Sequence, residues 1–134
     1  MAKTVMFIDD DDAFLHIVRR VCSGMGSVAD VLTALNGSEA LTGFEQLLAA
    51  ESTLPDMVFV DINMPVMDGF AFLTAFAALR EHDPRLQVVR PVAMLTSSDQ
   101  ERDRDRAAAL GADDYLVKGV GLTEIREAIG RFLA

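Results

Sequence analysis

The chain has 134 residues, of which 51% are hydrophobic, and its formal net charge at pH 7 is −9. This length predicts one domain with one core, and the negative charge argues against direct binding to nucleic acid or to anionic membranes. No apolar run approaches the ~18 residues of a membrane-spanning helix, and we expect no signal peptide at the N-terminus. The single cysteine, Cys22, cannot form an internal disulfide, so we expect a cytoplasmic protein.

Predicted strands and helices alternate along the chain, which is typical of an α/β fold with a parallel sheet. Short, continuously apolar runs predict strands that are buried on both faces of such a sheet. The predicted strands are 4–8, 28–33, 57–60, 91–95 and 114–117. Five helices are predicted. The first follows the acidic run 9–12, the second covers 38–50, and the third follows Gly69. The fourth covers 100–110 and the fifth 123–133. The segment 86–90 precedes the fourth strand and is assigned to no element.

Apolar residues at a spacing of three and four predict which face of the first helix contacts the core. This face consists of Phe14, Ile17, Val18, Val21 and Met25. Cys22 lies at helical spacing from two of them, so we expect it to flank the core. The charged run 101–106 is expected to form the solvated first turns of the fourth helix.

Four of the predicted strands are followed directly by a residue with a reactive or charged side chain. Asp9 and Asp10 follow the first strand, Asp61 the third, Thr96 the fourth and Lys118 the fifth. Ligand sites in open parallel sheets lie outside the carboxyl ends of the strands, so we expect these five residues to meet at one edge. Three close carboxylates repel one another unless a cation is present, and Mg²⁺ takes oxygen ligands while keeping waters that a phosphate can replace. A hydroxyl and an ammonium at the same edge indicate a phosphoryl group.

Each of these residues, taken alone, also has an ordinary structural explanation. Aspartates at a helix start commonly cap the helix, and an aspartate that ends a strand is a common turn residue. Thr96 could cap the fourth helix, as could Ser97 or Ser98, and Lys118 could extend its ammonium to solvent. The occurrence of such residues at four strand ends favours a shared site.

Several segments that together span nearly the whole chain resemble the receiver domain of two-component response regulators. The most specific is Asp61-Ile62-Asn63-Met64-Pro65-Val66-Met67-Asp68-Gly69. The other segments that carry the resemblance are 8–10, 36–41, 55–56, 94–97 and 110–118. The resemblance implies a flavodoxin-like, doubly wound fold, in which a five-stranded parallel sheet of order 2-1-3-4-5 is flanked by five helices.

The resemblance also implies a phosphorelay function and a role for each site residue. Asp61 would be the phosphoacceptor, and Asp9, Asp10, Asp61 and the backbone carbonyl of Asn63 would hold Mg²⁺. The implied partners are a sensor histidine kinase or a histidine phosphotransfer protein, which donates the phosphoryl group, and a downstream target protein.

The remaining implied roles concern the fourth and fifth strands. Thr96 would be the switch hydroxyl, Tyr115 the switch aromatic and Lys118 the ammonium that binds the phosphate. The family usually has proline after this lysine, often through a cis bond, whereas Gly119 stands here. A cis bond before a residue other than proline costs about 2.5–4 kcal/mol, so the loop is expected to be trans or strained, and glycine is expected to make it more mobile. We expect a single receiver domain over 1–134 without an output domain, as in stand-alone chemotaxis-type receivers.

Two other functions stay open at this stage. A Mg²⁺-dependent phosphohydrolase also forms an aspartyl phosphate, but it would need a second catalytic acid at residue 63, where the chain has Asn63, and a cap insertion. A pseudo-receiver would be an interaction module that is never phosphorylated. The presence of Asp9, Asp10 and Asp61 together argues against a pseudo-receiver. The replacement of the usual proline by Gly119 keeps a pseudo-receiver possible. We therefore expect a signalling domain that is not an enzyme in the usual sense.

Overall fold

A computed structural model describes residues 3–119 and 122–133, and it contains a five-stranded parallel sheet with the order β2-β1-β3-β4-β5. The strands are β1 (Lys3–Ile8), β2 (Val28–Ala34), β3 (Met57–Val60), β4 (Val92–Thr96) and β5 (Asp114–Val117). The helices are α1 (Asp12–Ser23), α2 (Gly37–Ala49), α3 (Gly69–His82), α4 (Glu101–Ala109) and α5 (Thr123–Leu133). The expected fold class and strand order are confirmed. Among the described residues, no helix combines the length and the apolar character that crossing a membrane requires.

Alternate residues of the central strands enter two separate hydrophobic clusters, one on each face of the sheet. In β1, Val5 and Phe7 pack towards α1 and α5, whereas Met6 and Ile8 pack towards α2 and α3. Phe7 stacks on Phe59 of the neighbouring strand β3, with 4.9 Å between the ring centroids. The central strands β1, β3 and β4 are buried on both faces over most of their length, which explains why their sequences are apolar rather than alternating. The edge strand β2 is partly exposed and contains Asp30.

Aspartate and asparagine side chains begin three of the helices. Asp11, Asn36 and Asp68 each accept a hydrogen bond from the backbone N–H three residues later, at the starts of α1, α2 and α3. Such a cap stabilises a helix by about 1 kcal/mol. Helix α4 differs, because its N-cap residue Gln100 makes no side-chain cap hydrogen bond. The alternative in which Thr96 caps this helix is wrong, since Thr96 is the last residue of β4.

The predicted buried face of α1 is confirmed in part: Val18 and Val21 are buried, and Phe14 and Met25 pack against the core, but Leu15 takes the place expected of Ile17. Leu15, Val18, Val21 and Cys22 are buried, whereas Ile17 is 46% exposed. Two faces of this helix satisfy the same spacing of three and four, and the position of the sheet decides between them.

The unassigned segment 86–90 contains the last three residues of a short 3₁₀ helix, Pro84–Val88, that packs against α3. Leu86 and Val89 are buried. Arg80 of α3 is itself nine-tenths buried, and its guanidinium donates hydrogen bonds to the carbonyls of both residues. The segment therefore closes the core beside the start of β4, with the arginine satisfying its carbonyls.

Burial of Cys22 makes the stability of the fold sensitive to alkaline pH. The side chain is fully buried, and this burial raises the pKa of the thiol from 9.0 to about 11. The unfolded thiol loses its proton first, so the free energy of unfolding is expected to fall above about pH 9, by about 1.4 kcal/mol per pH unit until about pH 11. Urea unfolding across this range measures the effect, and Cys22→Ala should lack it. The same pH dependence in both proteins would contradict the prediction.

Candidate functional site

The register between β1 and β3 brings two aspartates side by side. Ile8 pairs with Val60, so Asp9 and Asp61 follow directly on adjacent strands. The backbone N–H of Asp61 donates to the carbonyl of Ile8 at 3.0 Å. The strand order reverses between these two strands, and a crevice forms at such a point outside the carboxyl ends of the strands.

The register between β4 and β5 brings the hydroxyl of Thr96 and the ammonium-bearing Lys118 to neighbouring strand ends. Thr96 pairs with Val117, and the backbone N–H of Lys118 donates to the carbonyl of Thr96 at 2.8 Å. Thr96 is fully buried. The polar residues at the carboxyl ends of these four strands therefore lie along one edge of the sheet, as their positions in the sequence predict.

Three carboxylates converge at this edge. Asp9, Asp10 and Asp61 each place one oxygen within 4.8 Å of the others. The side chains of Asp9 and Asp61 are only 4% and 10% exposed, whereas Asp10 is exposed. One oxygen of each buried carboxylate is held by a backbone N–H, that of Asp11 at 2.9 Å and that of Ile62 at 2.7 Å. The second oxygen of each faces the Lys118 ammonium.

Lys118 lies against the two buried carboxylates. Its Nζ is 2.6 Å from Oδ2 of Asp9 and 3.1 Å from Oδ2 of Asp61. It also lies 4.3 Å from the ring centroid of Phe14 on α1. Burial by itself lowers the pKa of Lys118, but the hydrogen bond to Asp9 and the charges of Asp61 and Asp9 outweigh it, so the pKa is raised. The ammonium therefore stays charged.

The three carboxylates and the one ammonium of this site leave negative charge that a metal cation could neutralise. Burial raises the pKa of Asp9 above its ordinary value, the hydrogen bonds from Lys118 and Asp11 oppose this, and the charge of Asp61 adds to it. Three carboxylates face one ammonium, so negative charge remains in excess. Carboxylate oxygens suit Mg²⁺, which is a hard cation. Asn63, whose carbonyl is the further ligand that the resemblance implies, is exposed in the loop after β3.

The loop from Asp61 to α3 makes a close backbone contact that the sequence analysis missed. The N–H of Gly69 donates to the carbonyl of Ile62 at 2.8 Å. A Cβ at residue 69 would lie 2.2 Å from the carbonyl oxygen of Asp61, so glycine is required there. Val66 in the same loop has a φ of 67°, a region that β-branched residues rarely adopt. The contact at Gly69 was visible in the sequence only as the last residue of the specific motif.

The glycine after Lys118 has no such steric reason. In the described part of the chain the one cis peptide bond precedes Pro91, and the bond between Lys118 and Gly119 is trans. The φ of Gly119 lies outside the left-handed region, and a Cβ there would meet no atom within 4 Å. The other residues of this loop, 120–121, lie outside the described residues, so the expected mobility stays a prediction.

The loop between β4 and α4 is held by contacts that sequence reasoning also missed. Oγ of Ser98 donates to Oδ2 of Asp103 at 2.5 Å, and the hydroxyl of Tyr115 donates to the carbonyl of Ser98 at 2.8 Å. The guanidinium of Arg104 lies 4.6 Å from the ring centroid of Tyr115. The start of α4 is therefore more than a solvated surface, because two of its charged residues contact Ser98 or Tyr115.

Comparison with known proteins adds to this geometry. The family model of the response regulator receiver domain matches residues 5–130. The transcriptional regulatory protein PrrA of Mycobacterium leprae is 37% identical over 121 residues, which cover 90% of this chain and 46% of PrrA. The chain thus spans about half the length of that relative.

Two further proteins match along nearly their whole length. The chemotaxis protein CheY of Halobacterium salinarum is 30% identical over 133 residues, which cover 99% of this chain and 98% of CheY. The crystal structure of the phosphorylated cyanobacterial phytochrome response regulator RcpA superposes with a TM-score of 0.80 at 26% identity, covering 99% of this chain and 94% of RcpA. A matching family model, similar relatives and a shared fold agree, and the chain belongs to the receiver domains of two-component response regulators.

Proposed function

We propose that this receiver accepts a phosphoryl group on Asp61 from a partner's phosphohistidine, and that the modification switches a protein-docking surface. The observation that carries the proposal is the environment of the Asp61 carboxylate. One of its oxygens is held by the N–H of Ile62, and the other lies 3.1 Å from the Lys118 ammonium. The carboxylate is thus held in place at the edge of the sheet, beside Asp9 and Asp10.

In the proposed reaction an oxygen of Asp61 attacks the phosphorus, and the bond from phosphorus to the histidine nitrogen breaks with its electron pair leaving on nitrogen. Most of the catalysis in such transfers is positioning and electrostatic stabilisation. Lys118 neutralises charge on the transferred oxygens. Mg²⁺, held by Asp9, Asp10, Asp61 and the carbonyl of Asn63, would neutralise more of that charge when bound.

The proposed switch uses the two neighbouring strands. An aspartyl phosphate adds close to two negative charges and new acceptor oxygens. The hydroxyl of Thr96 would donate to one of these oxygens and draw the loop after β4 inward. Tyr115, whose hydroxyl contacts the carbonyl of Ser98 in that loop, would move with it. The surface formed by α4, β5 and α5 would change, and a downstream target protein would recognise the changed surface.

Receivers are signalling domains rather than classical enzymes, and one experiment separates this proposal from its rivals. The protein is incubated with a small-molecule phosphodonor, with and without Mg²⁺, and its intact mass is measured. One Mg²⁺-dependent phosphoryl addition supports the receiver. Rapid turnover of many phosphate esters would support a phosphohydrolase, and no reaction would support a pseudo-receiver. That the chain acts without an output domain stays a prediction.

Asp10→Ala is expected to weaken Mg²⁺ binding at least tenfold, which corresponds to about 1.4 kcal/mol. The variant removes one of three convergent carboxylates and leaves the two that Lys118 contacts. Isothermal titration with Mg²⁺ measures the loss. Asp12→Ala, which removes an exposed carboxylate outside the cluster, is the control. An unchanged titration for Asp10→Ala would reject this role.

The phosphoryl group is expected to be short-lived, lasting on the order of minutes or less, as family resemblance implies for small residues at positions 63 and 98. Asn63 and Ser98 leave room for water at the acceptor, so Ser98→Leu should prolong the lifetime. Loss of mass after removal of the donor measures it. A wild-type lifetime of many hours would contradict this prediction.

A further inference from the structure

We propose that Asp103 is a positioning residue that sets the lifetime of the phosphoryl group, because it holds the hydroxyl of Ser98 against the start of α4. This inference rests on the proposed phosphorylation of Asp61 and deepens it. It concerns a residue of α4 that is distant from Asp61 in the sequence.

The hydroxyl of Ser98 is fully engaged by α4 and the loop before it. Oγ donates its single proton to Oδ2 of Asp103 at 2.5 Å and accepts from the N–H of Gln100 at 3.4 Å. A hydroxyl has one donor, and a hydrogen bond to an ionised carboxylate is among the stronger ones in proteins. The hydroxyl is therefore directed at α4 and has no proton left for another acceptor.

The backbone of Ser98 is held from the opposite side. The hydroxyl of Tyr115 donates to its carbonyl at 2.8 Å, and the ring of Tyr115 stacks beneath Arg104. The N–H of Ser98 lies 3.4 Å from Oγ1 of Thr96, the residue that ends β4 in the site. Ser98 is thus the point at which α4 and β5 are connected to the phosphorylation site.

Ser98 and Asp103 line the same crevice as Asn63, which lies two residues past Asp61. This crevice opens between the β3–α3 loop and the start of α4, beside Ile62, whose N–H holds the Asp61 carboxylate. In the proposal it is the route by which water reaches a phosphoryl group on Asp61. In hydrolysis the water oxygen attacks phosphorus, the bond to the Asp61 oxygen breaks with its electron pair returning to the carboxylate, and both water protons leave with the phosphate. Without Asp103, the Ser98 hydroxyl is free to turn within the crevice and to hydrogen-bond the attacking water.

The test compares phosphoryl lifetimes of the whole chain after labelling with a small-molecule phosphodonor and Mg²⁺ and removal of the donor. Asp103→Ala is expected to shorten the lifetime roughly tenfold or more, the range that loss of a hydrogen bond to a charged group spans. Asp103→Asn keeps an acceptor oxygen for the hydroxyl and should restore the wild-type lifetime. Asp105→Ala, an exposed acidic residue of the same helix, is the matched control and should leave the lifetime unchanged.

A double variant separates positioning from a general effect on the loop. In a Ser98→Ala background, Asp103→Ala should cause no further change, because the hydroxyl through which it acts is absent. An equal effect in both backgrounds, or no effect of Asp103→Ala on the wild-type lifetime, would overturn the proposal.

Hydrogen exchange of the unphosphorylated protein gives an independent measurement. Asp103→Ala should speed amide exchange at residues 98–100, and Asp103→Asn should not. Unchanged exchange in Asp103→Ala would also overturn the proposal. If the wild-type chain takes up no phosphoryl group, the proposed function fails; if it is labelled normally and the lifetimes match, only the role of Asp103 fails.

Discussion

Asp61→Asn is expected to abolish phosphorylation and to leave the fold intact. The amide is not a nucleophile, whereas its oxygen can still accept the hydrogen bond from the N–H of Ile62. Lys118 keeps its ion pair with Asp9 at 2.6 Å, so no charge is left buried without a partner. Intact mass after incubation with the phosphodonor and Mg²⁺ measures the first effect, and thermal unfolding measures the second.

The same motif offers a matched control for this variant. Asp68 is exposed and caps α3 through its side chain. Asparagine caps a helix about as well as aspartate, so Asp68→Asn should be labelled at the wild-type rate. Labelling of Asp61→Asn at the wild-type rate would show that another residue is the acceptor.

Gly69→Ala is expected to destabilise the fold by about 3 kcal/mol or more, at the upper end of the cost of overpacking a core. The new methyl would lie 2.2 Å from the carbonyl oxygen of Asp61, and both sides of this contact are backbone. The loop must open, which also displaces the acceptor, so the rate of phosphorylation should fall in the fraction that stays folded. Urea unfolding and the labelling rate measure the two effects.

Gly43→Ala is the control, because it replaces a half-buried glycine that makes no close backbone contact. Residue 43 is inside α2, and a Cβ there would lie 3.9 Å from Cε of Met6, an ordinary contact. Because glycine is a poor helix former, this variant should stabilise the protein by roughly 0.5–1 kcal/mol. If Gly69→Ala is as stable as the wild type, the β3–α3 loop moves freely and the contact has no structural role.

The elements that could be predicted from the sequence are those whose signals are local. Strands β3 (Met57–Val60) and β5 (Asp114–Val117) have the predicted bounds, because charged or polar residues mark both ends of each short run. The meeting of Asp9, Asp61 and Lys118 was also predictable, since the carboxyl ends of parallel strands share one edge. The burial of Leu15 in place of Ile17 on α1 was not predictable, because Leu15 is three residues from Val18 and Ile17 is four residues from Val21.

The sequence by itself determined the order of strands and helices and which strand ends carry acidic, hydroxyl and ammonium groups, because apolar runs and the residues that end them are local properties of the chain. Only the tertiary structure decided that the carbonyl of Asp61 leaves no room for a side chain at Gly69 and that Asp103 binds Ser98. These contacts depend on the paths of two loops over the edge of the sheet. Loop paths are set by packing and by hydrogen bonds between residues distant in sequence, which no local pattern records.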